Sequence, residues 1–185
     1  LTQHIVLVRH ALSAAEPDVD SRRWGLAGGA RQDCVRLADA IGSRAAFVHT
    51  SDERKAVDTA SAIAERWASA VRTDERFGEV RRPYTDGDYR QIAADYLRNG
   101  NDEWEPRDAV IDRFTAAIDQ AGVHDDELVV VNHGLAMSLY VASLVDIEAV
   151  AFWTALAFPD AWSLDVSTGS LRHVFTEGRP APDQT

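Results

Sequence analysis

The sequence predicts an α/β fold, a three-layer α/β/α sandwich around a mostly parallel sheet. Three observations carry that expectation. Apolar runs at residues 5–8 and 128–131 are bounded by polar residues, as fully buried strands are. Between them apolar residues recur at helical spacing. The two kinds of segment alternate along the chain without a repeat, a low-complexity tract or a Gly/Ser linker, the pattern of parallel strands joined by helices.

The elements follow in order. Residues 3–9 (QHIVLVR) form the first strand. Cys34, Leu37, Ala38 and Ile41 share one face of a helix that Gly42 can close. Residues 46–49 form a second short strand. Thr50, Ser51, Asp52 and Glu53 fit a capping box before a helix whose stripe is Ala56, Ala60, Ile63, Ala64 and Trp67. Val110, Phe114, Ala117, Ile118 and Ala121 mark a helix entered through Pro106 and ended by Gly122. Residues 127–132 (ELVVVN) make the most apolar strand, and a helix carrying Ala136, Leu139, Tyr140 and Leu144 follows it. Residues 162–167 and 171–175 flank Thr168-Gly169 as a terminal hairpin. The expected organisation is one domain over residues 1–177, with a polar tail at 178–185.

Composition removes several classes of function. A chain of 185 residues with 45% hydrophobic and 26% charged residues can bury one ordinary core. Cys34 is the only cysteine, so neither an internal disulfide nor a cysteine zinc site is expected. The net charge of −11 argues against nucleic acid and against an anionic membrane. No apolar stretch reaches bilayer length, and no basic segment precedes an apolar leader, so a cytoplasmic location is expected. Gly28-Gly29 is not followed by the Lys-Ser/Thr of a phosphate loop.

In a parallel sheet, ligands bind beyond the carboxyl ends of the strands. Three strands end there in reactive groups: Arg9-His10, then Ser51 with Glu53, Arg54 and Lys55, then His133-Gly134. Two imidazoles with several cations, each ahead of a helix start, suit a phosphoryl group, whose oxygens need several positive or N–H donors. Neutral imidazole is also a good nucleophile toward phosphorus.

The residues Val8-Arg9-His10-Ala11, the stretch SDERKAVDTA from Ser51 to Ala60, Phe77-Gly78-Glu79, and Val130-Val131-Asn132-His133-Gly134 resemble, in order and spacing, the four motifs of the histidine phosphatase (phosphoglycerate mutase-like) superfamily. The likeness runs over roughly residues 3–145 and points to the small phosphatase branch. It implies a phosphoglycerate mutase-like fold and a phosphomonoester phosphatase acting through a phosphohistidine. His10 would be the nucleophile and Glu79 the acid and base, with Glu53 and Glu75 as alternatives. Arg9 and His133 would hold the phosphoryl oxygens, helped by Gly134, Ser13 and a basic residue of the second motif. Lys55 occupies the aligned position there and Arg54 lies one place early. Neither metal nor cofactor is called for, and the expected partner is a small phosphorylated metabolite; a homodimer stays open.

The sequence departs from the family pattern at Ala11, where Gly is usual, at Lys55, where Arg is usual, and at Leu12 and Glu16 in the first loop. An acid at position 16 is expected to disfavour an anionic substrate tail. Ser13, Arg22, Arg23, Arg81 and Arg82 are candidates for substrate contact, and Trp104 and Trp153 for core or lid. Three other functions stay open: mutase-type phosphoryl transfer, a weakly active or non-catalytic phospho-ligand or protein-binding relative, and, more distantly, a metal-dependent hydrolase.

Overall fold

Two apolar strands lie side by side at the centre. In the computed structural model β1 (His4–Arg9) and β4 (Glu127–Asn132) run parallel, with His4 opposite Glu127 and Arg9 opposite Asn132. That register has a direct consequence: the residues after the last pair, His10 and His133, leave the sheet together at its carboxyl edge. The structure describes residues 4–43, 45–84, 87–122, 127–175 and 177–178. His124 and all of the expected tail but Gly178 lie outside them.

Among the described residues the sheet has six strands in the order β3 (Ala70–Thr73), β2 (Phe47–Thr50), β4, β1, β5 (Asp160–Asp165), β6 (Ser170–Phe175). Four strands are parallel, whereas β5 runs antiparallel to β1 and β6 to β5. The sheet is therefore mixed. The short turn around Thr168-Gly169 allows only a hairpin, since a parallel connection needs a crossover of a dozen residues or so.

Side chains alternate along the central strands and divide the core into two layers. Ile5, Leu7, Leu128 and Val130 pack against α3 (Tyr89–Asn99), α4 (Arg107–Ala121), α5 (Gly134–Leu144) and α6 (Ala149–Ala155). Val6, Val8, Val129 and Val131 face α1 (Ala30–Ile41) and α2 (Arg54–Trp67). Each such side chain, fully buried, contributes roughly 1.5–3 kcal/mol. Helix α1 stops at Gly42, which takes φ +65° and returns its N–H to the Ala38 carbonyl, a conformation that favours glycine. Trp104 is core, tilted against Tyr96 at 4.9 Å between ring centroids.

One local expectation needs correction. The capping box before α2 does not form. The helix begins at Arg54, so Glu53 rather than Thr50 is the N-cap and makes no side-chain cap; the Ser51 hydroxyl accepts from the Glu53 N–H and bonds His133, and the Glu53 carboxylate pairs with Lys55. The charged stretch around residues 73–82 is held by packing and hydrogen bonds. It holds the end of β3 and a 3-10 turn, Glu75–Phe77, whose Phe77 ring packs edge-on against Phe114 at 5.2 Å. Arg113, paired with Glu105, donates to the carbonyls of Arg76, Gly78 and Glu79 and fixes the stretch from below. Among the described residues no helix is long and apolar enough to cross a membrane.

Candidate active site

The carboxyl edge of β1, β2 and β4 opens into a cavity of about 500 Å³. Arg9, His10, Glu53, Lys55, Glu79 and His133 line it together. The rings of His10 and His133 stand 5.1 Å apart, centroid to centroid, tilted by 59°. His10 Nδ1 lies 2.8 Å from the Ala11 carbonyl. A carbonyl can only accept, so Nδ1 carries the hydrogen and Nε2 keeps its lone pair. Ala11 itself is fully buried in the layer under α1 and α2 and has no positive φ, so alanine fits there without strain. Its N–H donates to the Thr59 hydroxyl, which in turn donates to the Lys55 carbonyl. The loop that follows His10 is thereby tied to α2.

Arg9 is clamped from the opposite side. Its Nη1 donates to the Leu156 carbonyl at 2.9 Å, and the guanidinium carbon sits 3.6 Å from the centre of the Phe158 ring. The same ring lies 5.4 Å from His10. Gly134 makes room for this arrangement: a Cβ there would come within 3.1 Å of Arg9 Nη2 and of the Trp153 indole.

Two carboxylates complete the floor. Glu79 accepts from the N–H groups of Ala136 at 2.9 Å and Leu135 at 3.2 Å, capping α5 from outside the helix, and from Val80 at 3.0 Å. Glu53 Oε1 accepts the Glu79 N–H at 3.0 Å and lies 3.5 Å from His133 Nε2, while Oε2 meets Lys55 Nζ at 2.8 Å. Lys55 Nζ also donates to the Ser21 carbonyl at 2.9 Å.

Burial and nearby positive charge set the protonation states. Burial, the neighbouring His133 and the ammonium of Lys55 hold His10 well below the usual 6.5, against the opposing bond to Ala11. Burial, Lys55, Arg113 and Arg9 do the same to His133. Burial brings Arg9 down to about 10, with Glu79 resisting, and it stays charged at neutral pH. Burial raises the Glu53 carboxyl, but Lys55, the Glu79 N–H and His10 together more than reverse this and leave it below the ordinary range. The cavity therefore offers two neutral imidazoles beside fixed cations.

A stability consequence follows. Both histidines bind protons more weakly in the folded state, so the unfolded chain takes up more protons below pH ~6.5. Their contribution is complete above that pH and is lost as the pH falls, at up to about 1.4 kcal/mol per pH unit for each histidine. Urea unfolding between pH 7 and 5.5 should show this slope, and His133→Asn should reduce it by roughly half. A flat profile in the parent protein would contradict the burial of both imidazoles.

The structure brings together Arg9, His10, Lys55, Glu79, His133 and Gly134, with Ser13 on the cavity wall. It separates Arg54, whose side chain is 64% exposed, 3.7 Å from Asp58 and beside Gly25, in a different cleft. Adjacent residues on a helix point ~100° apart, so only one of the two basic side chains can enter the cavity. Glu16 lines that second cleft too, which removes the expected penalty on an anionic tail. Arg23 and Glu75 are exposed and line neither cavity. Arg22 reaches the cavity but is held by both oxygens of Asp52.

Sequence reasoning did not assign a role to Phe158, Thr59 or Ser51. The last two lie within the second motif, where a hydroxyl at a strand end and another one helical turn on are a usable signal. Phe158 carries no such signal. Among the described residues no group of three or more His, Cys, Asp or Glu is placed to hold a metal ion.

Solved structures share this fold at low identity. Bacillus stearothermophilus YhfR is similar with a TM-score of 0.70 at 22% identity, covering 96% of this chain and 98% of that one. A mycobacterial glucosyl-3-phosphoglycerate phosphatase in complex with VO3 gives 0.69 at 20% identity over 97% and 100% of the two chains. A putative alpha-ribazole-5'-P phosphatase from Escherichia coli str. K-12 substr. MG1655 gives 0.69 at 19% identity over 98% and 100%. No curated protein matches the chain. The model of the histidine phosphatase superfamily (branch 1) matches residues 5–167, and with that span the chain belongs to this superfamily.

Proposed function

We propose that the protein hydrolyses the phosphomonoester of a small metabolite through a phosphohistidine on His10. One observation carries the reading: a buried imidazole with a free Nε2 faces a cavity that also holds Arg9, Lys55, a second neutral imidazole and the carboxylate of Glu79. The phosphatases among its structural neighbours support the same class of reaction.

His10 Nε2 attacks phosphorus as the bond to the leaving oxygen breaks, and Glu79 gives that oxygen a proton. Arg9, Lys55 and His133 hold the remaining phosphoryl oxygens through the transition state. Water then attacks the phosphohistidine with Glu79 as base, and phosphate leaves with His10 restored. The scheme calls for no metal ion.

Phosphate release from a panel of phosphorylated metabolites, with EDTA present, tests the reading. Turnover that survives EDTA is expected; strict dependence on added metal, or no turnover of any ester, would overturn it. The same assay separates the two basic residues. Lys55→Met should lower kcat/KM by about 10- to 100-fold, the worth of a hydrogen bond to a charged group. It should also lower the melting temperature, because Glu53 is left buried without its partner. Arg54→Ala removes only an exposed pair with Asp58 and should leave kcat/KM within about twofold. Equal losses in the two variants would show that the second motif is used differently.

A further inference from the structure

We propose that the substrate's leaving group carries a second anion, and that Arg82, with Arg81 and Arg90, binds it on the outer wall of the same cavity. The proposal rests on the phosphatase reading for what occupies the inner end. Leu12, Val80 and Phe158 also line the cavity, so the charged groups share it with apolar surface.

The charge pattern carries the argument. Acids outnumber bases by 30 to 19 in this chain, and two half-buried arginines elsewhere are held in ion pairs, Arg113 with Glu105 and Arg76 with Asp74, while Arg107 donates to the Leu97 and Arg98 carbonyls. Arg81, Arg82 and Arg90 all line the cavity, yet none forms an ion pair among the described residues. Against a repelling overall field, three unpaired arginines on one wall form a local trap for an anion.

Arg82 is the best placed of them. Its guanidinium carbon lies 4.5 Å from the centre of the Tyr89 ring and 5.4 Å from that of Trp104, which limits its motion. Its Nε is buried and has no hydrogen-bond partner among the described residues, whereas buried donors are almost always satisfied. Arg81 is set beside it by its N–H, which donates to Glu105 at 3.0 Å. Arg90 stands in the first turn of α3, the end at which the helix dipole disfavours a cation. A local rule broken beside a cavity points to function. Two further acids line the cavity: Asp88, which accepts from the Gln91 N–H, and Asp20, which accepts from the Arg22 N–H.

The test uses two ligand series matched in length, n-alkyl phosphates and ω-carboxyalkyl phosphates, with the non-hydrolysable phosphonates of each. Calorimetry reads phosphonate affinity and phosphate release reads kcat/KM. At the best chain length the carboxylated member should be favoured by about tenfold or more in both readouts. Arg82→Met should bring the ratio toward one. So should Arg90→Gln in part, and its exposed position spares the fold; circular dichroism checks that each variant is folded. Equal affinity of the two series at every length would overturn the proposal, as would a preference undiminished in the Arg82→Met Arg90→Gln double variant. A preference in phosphonate binding without hydrolysis of any phosphate would support the anion site and overturn the phosphatase reading. Hydrolysis without preference would do the reverse.

Discussion

His10→Ala should abolish turnover, with kcat on an activated aryl phosphate falling on the order of 10⁴-fold or more, as for loss of other enzymic nucleophiles. The size of the effect follows from the geometry. The Ser51 hydroxyl accepts from the Glu53 N–H and donates to His133 Nε2 at 2.7 Å, so His133 carries its hydrogen on Nδ1, where it can donate to a phosphoryl oxygen but offers no lone pair in place of His10. Labelled substrate, quenched rapidly without acid, should leave a phosphoryl group on His10 that is stable to base and labile to acid. Near-normal turnover in His10→Ala, or label on another residue, would end the phosphohistidine scheme. Since burial and neighbouring cations keep His10 neutral well below pH 6.5, protonation of the nucleophile should not limit kcat/KM at that pH. An acid limb there would belong to the substrate, whose second ionisation lies near pH ~6.

Glu79→Gln should produce a selective defect. A poor alkoxide leaving group needs its proton and an activated phenolate hardly does, so general acid catalysis is worth roughly 10²- to 10⁴-fold only for the first. Single-turnover measurement of the phosphorylation step should show that loss for alkyl phosphates and little change for the activated aryl phosphate. The structure adds a precaution. Glu79 accepts from three backbone N–H groups, and an amide turns an NH₂ toward one of them. The variant should therefore melt at a lower temperature than the parent. That loosening would affect both substrates alike, which is why the ratio between them is the informative quantity. Equal slowing of both would reduce Glu79 to a cap for α5. No slowing of either would move the acid role to Glu53, which lines the same cavity; Glu75, exposed and outside it, drops from consideration.

The central strands were legible from residues 5–8 and 128–131 alone, because a strand buried on both faces must be apolar at every position. The strand β3 was not, since Ala70, Arg72 and Thr73 are exposed at the sheet edge and leave no apolar signature. The antiparallel course of β5 against β1 was hidden for a different reason: a strand's residue pattern does not record the direction of its neighbour.

The site divides along the same line. Sequence by itself determined that Arg9-His10 and His133-Gly134 end buried strands, and that Ser51 to Ala60 opens a helix with two candidate cations. Those are local properties, written in the spacing of neighbouring residues. Tertiary structure decided which cation faces the histidines, because a turn of ~100° about the helix axis sends Lys55 inward and Arg54 to Asp58. It also brought Phe158 onto Arg9, Ser51 onto His133 and the Glu79 carboxylate onto the start of α5. These partners are separated by 149, 82 and 57 residues. No periodicity spans such distances; only the pairing of β1 with β4 and the packing of helices on the sheet bring them within reach.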